Sequence, residues 1–361
     1  MPGQQLFLFI SYITLLLIVV TALQDYEVTM THTGKDAAMA VEHQLLAVND
    51  ITLSIYSAGP ADGRPLWLLH GFPECWYSWR HQIEPLARCG YRVFVPEMRG
   101  YGQSSAPSEP EAYDLMTLCG DIQAAMDAFG HTEVGVISHD WGAGLAWYLA
   151  LLEPQRVKVL VTMSVPFGGR PKRSAIEIMR EVYADRFNYI VYFQEAGVAE
   201  SELDADIARS LRLLLGGKGE MFLQDKPADA RLFDGIPEPQ DLPDWCTKEE
   251  LSVYQNTLSR GFRGPLNWYR NFTRTWQRTE ALAGQSIVPP TLFLLGDQDP
   301  VGKLESHTLK RMNQVVPQLE QHVLENCGHW IQNERPEEVN ALLDDFLGRH
   351  YVVRANSGRN S

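Results

Sequence analysis

Three short stretches of the sequence carry residue types that could act together in catalysis. V-G-V-I-S-H-D-W-G-A-G, over 134–144, climbs an apolar run to His139 and Asp140 and turns at Trp141 and Gly142. G-D-Q-D-P-V, over 296–301, puts two carboxylates, Asp297 and Asp299, just after another apolar run. C-G-H-W, over 327–330, puts His329 after a third. The chain order nucleophile, acid, histidine suits a catalytic triad carried on the strand ends of an open α/β sheet. His329 would be the base, and one of the two carboxylates would hold its ring.

The first stretch has the layout of a strand turning sharply into a helix. The tip of such a turn is forced into a strained backbone conformation, so its neighbours must be small. Ser138 and Gly142 meet that need two positions either side of Asp140. A carboxylate at a helix N-terminus is favoured in its ionised form by the dipole and the free N–H groups. Ionised, it is a nucleophile that needs no general base for its first attack. Asp is also a preferred helix N-cap, which is the structural alternative for Asp140. H-G-F-P, over 70–73, ends another apolar run and offers the Phe72 amide to an oxyanion hole, with the Trp141 amide as second donor. G-Y-G-Q-S-S, over 100–105, reads as a turn and is given no chemistry.

The elements that must position these residues follow from periodicity. Strands are expected over 51–57, 65–70, 92–96, 134–138, 157–164, 291–295 and 322–326. Several are unbroken apolar runs, the mark of parallel strands covered on both faces. Helices are expected over 77–88, 113–129, 141–152 and 336–348. The last carries Val339, Leu342, Leu343, Phe346 and Leu347 on one face and Pro336 in its first turn. Alternation of strand and helix predicts an α/β class with a mostly parallel sheet and helices on both faces. From 169 to 283 only helical periodicity and loops occur, so this segment is expected to be a helical cap over the strands' C-terminal ends, where open sheets bind ligands. The resulting organisation is an apolar N-terminal segment (1–23), a linker (24–42), a core in two parts (43–168 and 284–350) and a polar tail (351–361).

Composition removes several classes. The chain has 361 residues, 45% of them hydrophobic, and a formal net charge of -14. With no Lys/Arg-rich block, nucleic-acid binding is not expected. The five cysteines, Cys75, Cys89, Cys119, Cys246 and Cys327, are scattered and suggest neither a disulfide framework nor a zinc site. Leu6 to Leu23 carries no charge. As a helix it would span roughly 27 Å, about a bilayer core, so membrane association is expected. A cleaved signal peptide is the alternative, with small residues near Ala22, though no Lys or Arg precedes the stretch. Secreted and cytoplasmic locations stay open, and oligomeric state is not legible.

The set H-G-F-P, S-H-D-W-G, G-D-Q-D-P-V and C-G-H-W-I-Q resembles that of the epoxide hydrolases of the α/β-hydrolase fold. F-N-Y-I-V-Y-F-Q-E-A-G-V-A-E (187–200) and F-R-G-P-L-N-W-Y-R-N (262–271) are similar to cap segments of the soluble-type members. The resemblance runs from about 43 to 350, and the N-terminal apolar segment departs from it. It implies Asp140 as nucleophile, His329 as base, and Asp299 rather than Asp297 as the acid. It also implies Tyr189 and Tyr269 as the donors to the epoxide oxygen, although Tyr192 lies only three positions from Tyr189. The implied substrate is a small apolar epoxide, with water and without metal or organic cofactor.

The chemistry fits these residue types. An epoxide carbon is saturated, so attack is a displacement with the ring oxygen leaving. Tyrosine hydroxyls, with ordinary pKa near 10, stay protonated and can donate to that oxygen. An attacking serine would leave an ether that water could not cleave. Aspartate leaves an ester, which the histidine and the oxyanion hole can hydrolyse. Haloalkane dehalogenases share the aspartate turn, often with a following tryptophan, and are the main alternative. A non-catalytic ligand-binding protein on this fold is the second.

Overall fold

The structure, a computed structural model, describes residues 26–29, 40–216 and 220–353. The apolar stretch Leu6–Leu23 lies outside them. Among the described residues no helix is long and apolar enough to cross a membrane.

Nine strands form one sheet: β1 (Tyr26–Thr29), β2 (Ala40–Val48), β3 (Ile51–Ala58), β4 (Arg64–Leu69), β5 (Tyr91–Glu97), β6 (Val134–His139), β7 (Val157–Met163), β8 (Thr291–Gly296) and β9 (Leu319–Leu324). Their order is β1-β2-β3-β5-β4-β6-β7-β8-β9. Pairing is antiparallel from β1 to β5 and parallel from β5 to β9. The α/β class and the mostly parallel sheet agree with the sequence pattern.

Alternation along the central strands divides the core in two. Leu66, Leu68, Val93, Val95, Ile137 and Val159 point to one face, against helix α1 (Arg80–Arg88) and the C-terminal helix Pro336–His350. Trp67, Leu69, Phe94, Val136 and Leu160 point to the other, against α2 (Leu115–Ala128) and α3 (Trp141–Leu152). Full burial of each such side chain contributes roughly 1.5–3 kcal/mol, which fixes the strands' register and so the height of their ends.

Strand order reverses around β4, whose neighbours are β5 on one side and β6 on the other. The chain leaves β4 one way and returns past it, so the loops after β4 and β6 part at their C-terminal ends. That is the place where open α/β sheets form a crevice. Phe72 follows β4 and Asp140 follows β6.

Between Met163 and Thr291 the described residues form no strand. Helices Ala175–Val182, Tyr189–Tyr192, Val198–Leu203, Ile207–Gly216, Lys248–Thr257, Arg263–Tyr269 and Phe272–Arg278 fill that interval. They share one hydrophobic core with the α2/α3 face, through Leu211, Leu214, Phe262, Leu266 and Trp268. Polar ties anchor them to the sheet layer. Arg80 pairs with Glu250 at 2.7 Å, and Asp114 takes Arg274 at 3.0 Å and Arg278 at 2.6 Å. The Trp268 indole donates to the Arg99 carbonyl at 3.1 Å.

Three stretches differ from the sequence pattern. Residues 24–42, read as a linker, contain β1 and the start of β2. β2 hides only Val41, His43 and Val48, so its apolar signal is sparse. The last strand begins at Leu319, earlier than expected, because an edge strand exposes residues such as Val323 and lacks a continuous apolar run. The tail expected from 351 starts with a buried residue. Tyr351 stacks on Tyr91, lies under Arg64 and donates to the Pro65 carbonyl at 3.2 Å.

Candidate active site

Asp140 stands at the tip between β6 and α3 with φ 50 and ψ -119, a region that non-glycine residues rarely occupy. Such strain costs about 1–3 kcal/mol and persists only where the surroundings over-determine it. The surroundings do so through two close approaches. A Cβ on Gly142 would lie 2.1 Å from the Leu69 carbonyl oxygen, and one on Gly71 would lie 2.5 Å from the Asp140 carboxylate. Ser138 is buried and its hydroxyl donates to the Val161 carbonyl at 3.0 Å. The N-cap alternative fails, because the Asp140 side chain makes no capping hydrogen bond to α3.

The carboxylate turns instead toward two partners. Its Oδ1 accepts the Phe72 amide at 2.8 Å, and its Oδ2 faces Nε2 of His329 at 3.6 Å. Trp141 is the first residue of α3, so its amide has no intrahelical acceptor and lies beside Gly71. Nδ1 of His329 meets both oxygens of Asp299 at 3.1 Å. Asp299 is buried and accepts the Val301 amide at 2.9 Å. Asp297 spends its Oδ1 on the Cys327 amide at 3.0 Å and so braces the loop that carries His329.

The charges reinforce one another. Burial opposes ionisation of Asp140, but the His329 ring and the Phe72 amide outweigh it and hold the carboxyl below its ordinary range. Burial also works against a charged His329. The Asp299 and Asp140 carboxylates win, and the imidazole is raised well above its ordinary value.

Tyr189 and Tyr269 both line the space in front of Asp140, their rings 6.2 Å apart. Tyr269 packs edge-on against Trp141 at 4.9 Å and Phe72 at 5.3 Å, and Tyr189 rests on Phe222 at 4.6 Å. Burial first, and then the Asp140 charge, push both phenols above their ordinary value, so both keep their protons. Tyr192 points elsewhere and donates to Glu202 at 2.8 Å. The carboxylate, the imidazole and the two phenols therefore converge on one cavity.

Comparison with known proteins decides the family. Residues 64–336 match the family model for the alpha/beta hydrolase fold. Epoxide hydrolase A of Mycobacterium tuberculosis is 40% identical over 85% of this chain and 98% of its own length. The bifunctional epoxide hydrolase 2 of Sus scrofa is 39% identical over 80% of this chain, which spans 52% of that longer protein. The crystal structure of epoxide hydrolase A from Mycobacterium thermoresistibile superposes with a TM-score of 0.81. It is 43% identical and covers 85% of this chain and 98% of its own. The chain belongs to the epoxide hydrolases of the α/β-hydrolase fold.

In this epoxide hydrolase a second, buried layer escaped the sequence reading. Glu74, fully buried, accepts the Gly71 amide at 2.8 Å, the Gln332 side chain at 2.8 Å and faces Nδ1 of His139 at 2.7 Å. Nε2 of His139 faces the His329 carbonyl at 2.8 Å. The pair thus ties the loop carrying the Phe72 amide to the backbone of His329. Burial disfavours the Glu74 charge, yet His139 more than offsets it and the carboxyl sits below its ordinary range. The signal is present in H-G-F-P-E and S-H-D-W-G, where Glu74 follows one singled-out motif and His139 lies within the other. Only the fold brings them together. His70, also buried, accepts the Met98 amide at Nε2 at 3.0 Å and fixes the start of the same loop. Burial lowers its pKa to about 4, so it serves as a neutral brace.

Proposed function

We propose that this epoxide hydrolase converts apolar epoxides to vicinal diols through an ester on Asp140. The observation that carries the reading is the division of labour at that carboxylate. Oδ1 is held by the Phe72 amide, while Oδ2 faces His329 beside the cavity that Asp140 and His329 both line. Oδ2 attacks a ring carbon from the side opposite the carbon–oxygen bond that breaks. The electron pair passes to the ring oxygen, which takes a proton from the Tyr189 and Tyr269 hydroxyls. Oδ1 is then the carbonyl oxygen of an ester and already lies at the Phe72 amide, with the Trp141 amide as the second donor. Such donors are typically worth about 3–4 kcal/mol each when charge develops on the oxygen.

Esterification also arms the base. A neutral ester no longer stabilises the imidazolium, so the pKa of His329 falls, its proton passes to the tyrosinate left by ring opening, and the neutral ring can take a proton from water. Asp299 keeps the ring oriented through Nδ1. The hydroxide equivalent adds to the Asp140 carbonyl carbon, the ester bond to Oδ2 breaks, and the diol leaves with that oxygen. The leaving alkoxide takes the proton of the newly formed Asp140 carboxyl, and the proton taken from water restores the imidazolium, so the sum is epoxide plus water to diol. The helical segment 169–283 acts as the cap that brings the phenols over the core in 43–168 and 284–350.

Single turnover in heavy-oxygen water tests this. The first diol should carry no solvent oxygen, and the peptide containing Asp140 should gain one. Label found in the first diol instead would mean direct attack by water. Halide release is the rival reading, and two phenols beside the carboxylate support epoxide opening over it. The charge-free stretch Leu6–Leu23 supports attachment to a membrane. Alkaline carbonate extraction of cells should leave the full chain in the pellet, and its appearance in the soluble fraction would refute attachment.

A further inference from the structure

Two unequal parts of the space in front of Asp140, bounded by described residues, share Asp140, Tyr189, Tyr269, Val301 and Leu304. One is a cavity of about 450 Å³, walled by apolar side chains such as Met179, Ile190, Phe272 and Trp276. It runs out to Ile178 and Val182, which are 39% and 51% exposed. The other is about 30 Å³, lined by Phe72, Leu214, Phe222, Pro300 and Trp330. Of the two, only the small part is lined by His329.

Size decides what each can take. A buried water needs about 10–15 Å³ of such space, so the small part holds about two. The water that cleaves the ester must reach both His329 Nε2 and the Asp140 carboxyl carbon, which places it there. A long substituent in the small part would expel the water the second step requires. The substituents on the two carbons of an epoxide point away from the ring in different directions. With the ring at Asp140, only one of them finds room. Among the described residues the large part has no Lys, Arg or His in its lining, and Glu305 contributes a carboxylate. A buried anionic group on the substrate would meet no compensating charge.

Building on the epoxide-opening reading above, we propose that the preferred substrate is a neutral apolar epoxide with its ring at the end of the chain. The bulk of the molecule fills the large part. The small part takes hydrogen or methyl, together with the hydrolytic water. Phe222 and Leu214 set this limit.

The test compares two isomers of one formula, 1,2-epoxydodecane and 6,7-epoxydodecane, by kcat/KM for diol formation. The terminal isomer should lead by about tenfold or more, since a misfit of one or a few methylenes has effects of that order. Equal rates, or a lead for the internal isomer, overturn the proposal and leave the epoxide-hydrolase reading intact. If neither isomer nor styrene oxide is opened, that reading fails and this inference falls with it. In Phe222→Ala and in Leu214→Ala the ratio of terminal to internal should drop about fivefold or more. The ratio is taken within one sample, so loss of folded protein cancels. An unchanged ratio in both variants, each folded by circular dichroism, refutes the assignment of the small part as the limit.

Discussion

The strand ends and the helical segment above them hold their polar groups by different means. Asp140, Asp299 and His329 follow β6, β8 and β9 and are fixed by directed bonds: Phe72 amide to Asp140, Val301 amide to Asp299, Asp299 to His329. Tyr189 and Tyr269 are fixed mainly by ring contacts, with Phe193 at 5.7 and 5.0 Å, Phe222, Phe72 and Trp141. Hydrogen bonds dictate angle and distance, whereas aromatic packing tolerates small slides. In the mechanism proposed above, the bond-making groups are held rigidly, and the groups proposed to meet the leaving oxygen sit where the pocket's shape is also decided. On that proposal the sheet sets the chemistry and the helical segment the substrate's shape.

Substitutions at the strand ends should break chemistry outright. Asp140→Asn should lower turnover by about 10⁴-fold or more, with no covalent capture by mass spectrometry. It should also lower the pKa of His329, because one of the two carboxylates that raise it is gone. An NMR titration of the imidazole reads that shift, and an unmoved pKa would mean that Asp299 alone sets the charge. The sign extends to stability. A histidine with a raised folded pKa stabilises the fold below its unfolded pKa, and this contribution is lost as pH rises through the folded value.

His329→Gln should separate the two halves of the reaction. Ring opening should proceed to a stoichiometric ester, and its hydrolysis should slow by about 10³-fold, within the usual range for loss of a general base. Intact-mass analysis after mixing with epoxide shows the adduct directly. Rapid turnover with no adduct would remove His329 from the mechanism. By contrast, Tyr189→Phe with Tyr269→Phe should slow ring opening by about 10²-fold, leaving any ester formed to hydrolyse at the parent rate. A burst of ester in the double variant would show that the phenols serve hydrolysis instead.

The same contrast explains what the sequence discloses. Parallel strands covered on both faces are apolar throughout, so β4, β6, β7 and β8 stand out, and Asp140 and Asp299 come with them as residues that follow a run. The order of those runs suffices to propose a triad. Choosing Asp299 over Asp297 needed the family pattern, and the fold supplies the reason: Asp297 is occupied by the Cys327 amide while Asp299 faces the ring. The tyrosines have no such signature. Tyr189 and Tyr192 are both aromatic residues of one short helix, and spacing treats them alike. β2 escapes because an antiparallel strand near the sheet margin buries few residues, here Val41, His43 and Val48. Glu74 and His139 escape because two buried ionisable groups, 65 positions apart in sequence, pair only across the crevice.

That buried pair supplies an intermediate test. Glu74→Gln keeps the shape and removes the charge facing His139, leaving the ring without its carboxylate. Weakening a buried hydrogen bond to a carboxylate costs about 2 kcal/mol. The melting temperature should fall, and turnover should fall with it as the loop bearing the Phe72 amide loosens. Since the Glu74 carboxyl is held below its ordinary range, its contribution is present at neutral pH. It fades as pH drops through the folded value. A variant with parental melting and parental pH dependence would show the pair to be dispensable.

The smallest effect expected marks the boundary between chemistry and packing most sharply. Tyr192 lies one helical turn from Tyr189, and its hydroxyl donates to Glu202 at 2.8 Å. Glu202 also accepts the Leu232 and Phe233 amides, each at 3.0 Å, so it stays satisfied without the phenol. Tyr192→Phe should therefore cost about 1 kcal/mol of stability, the net worth of one ordinary hydrogen bond. It should leave both the ring-opening and the ester-hydrolysis rates at parental values. If stopped-flow ring opening slows as much in Tyr192→Phe as in Tyr189→Phe, the two phenols are interchangeable through movement of their helix. The epoxide oxygen would then be met by a mobile segment, and the specific role assigned to Tyr189 would have to be given up.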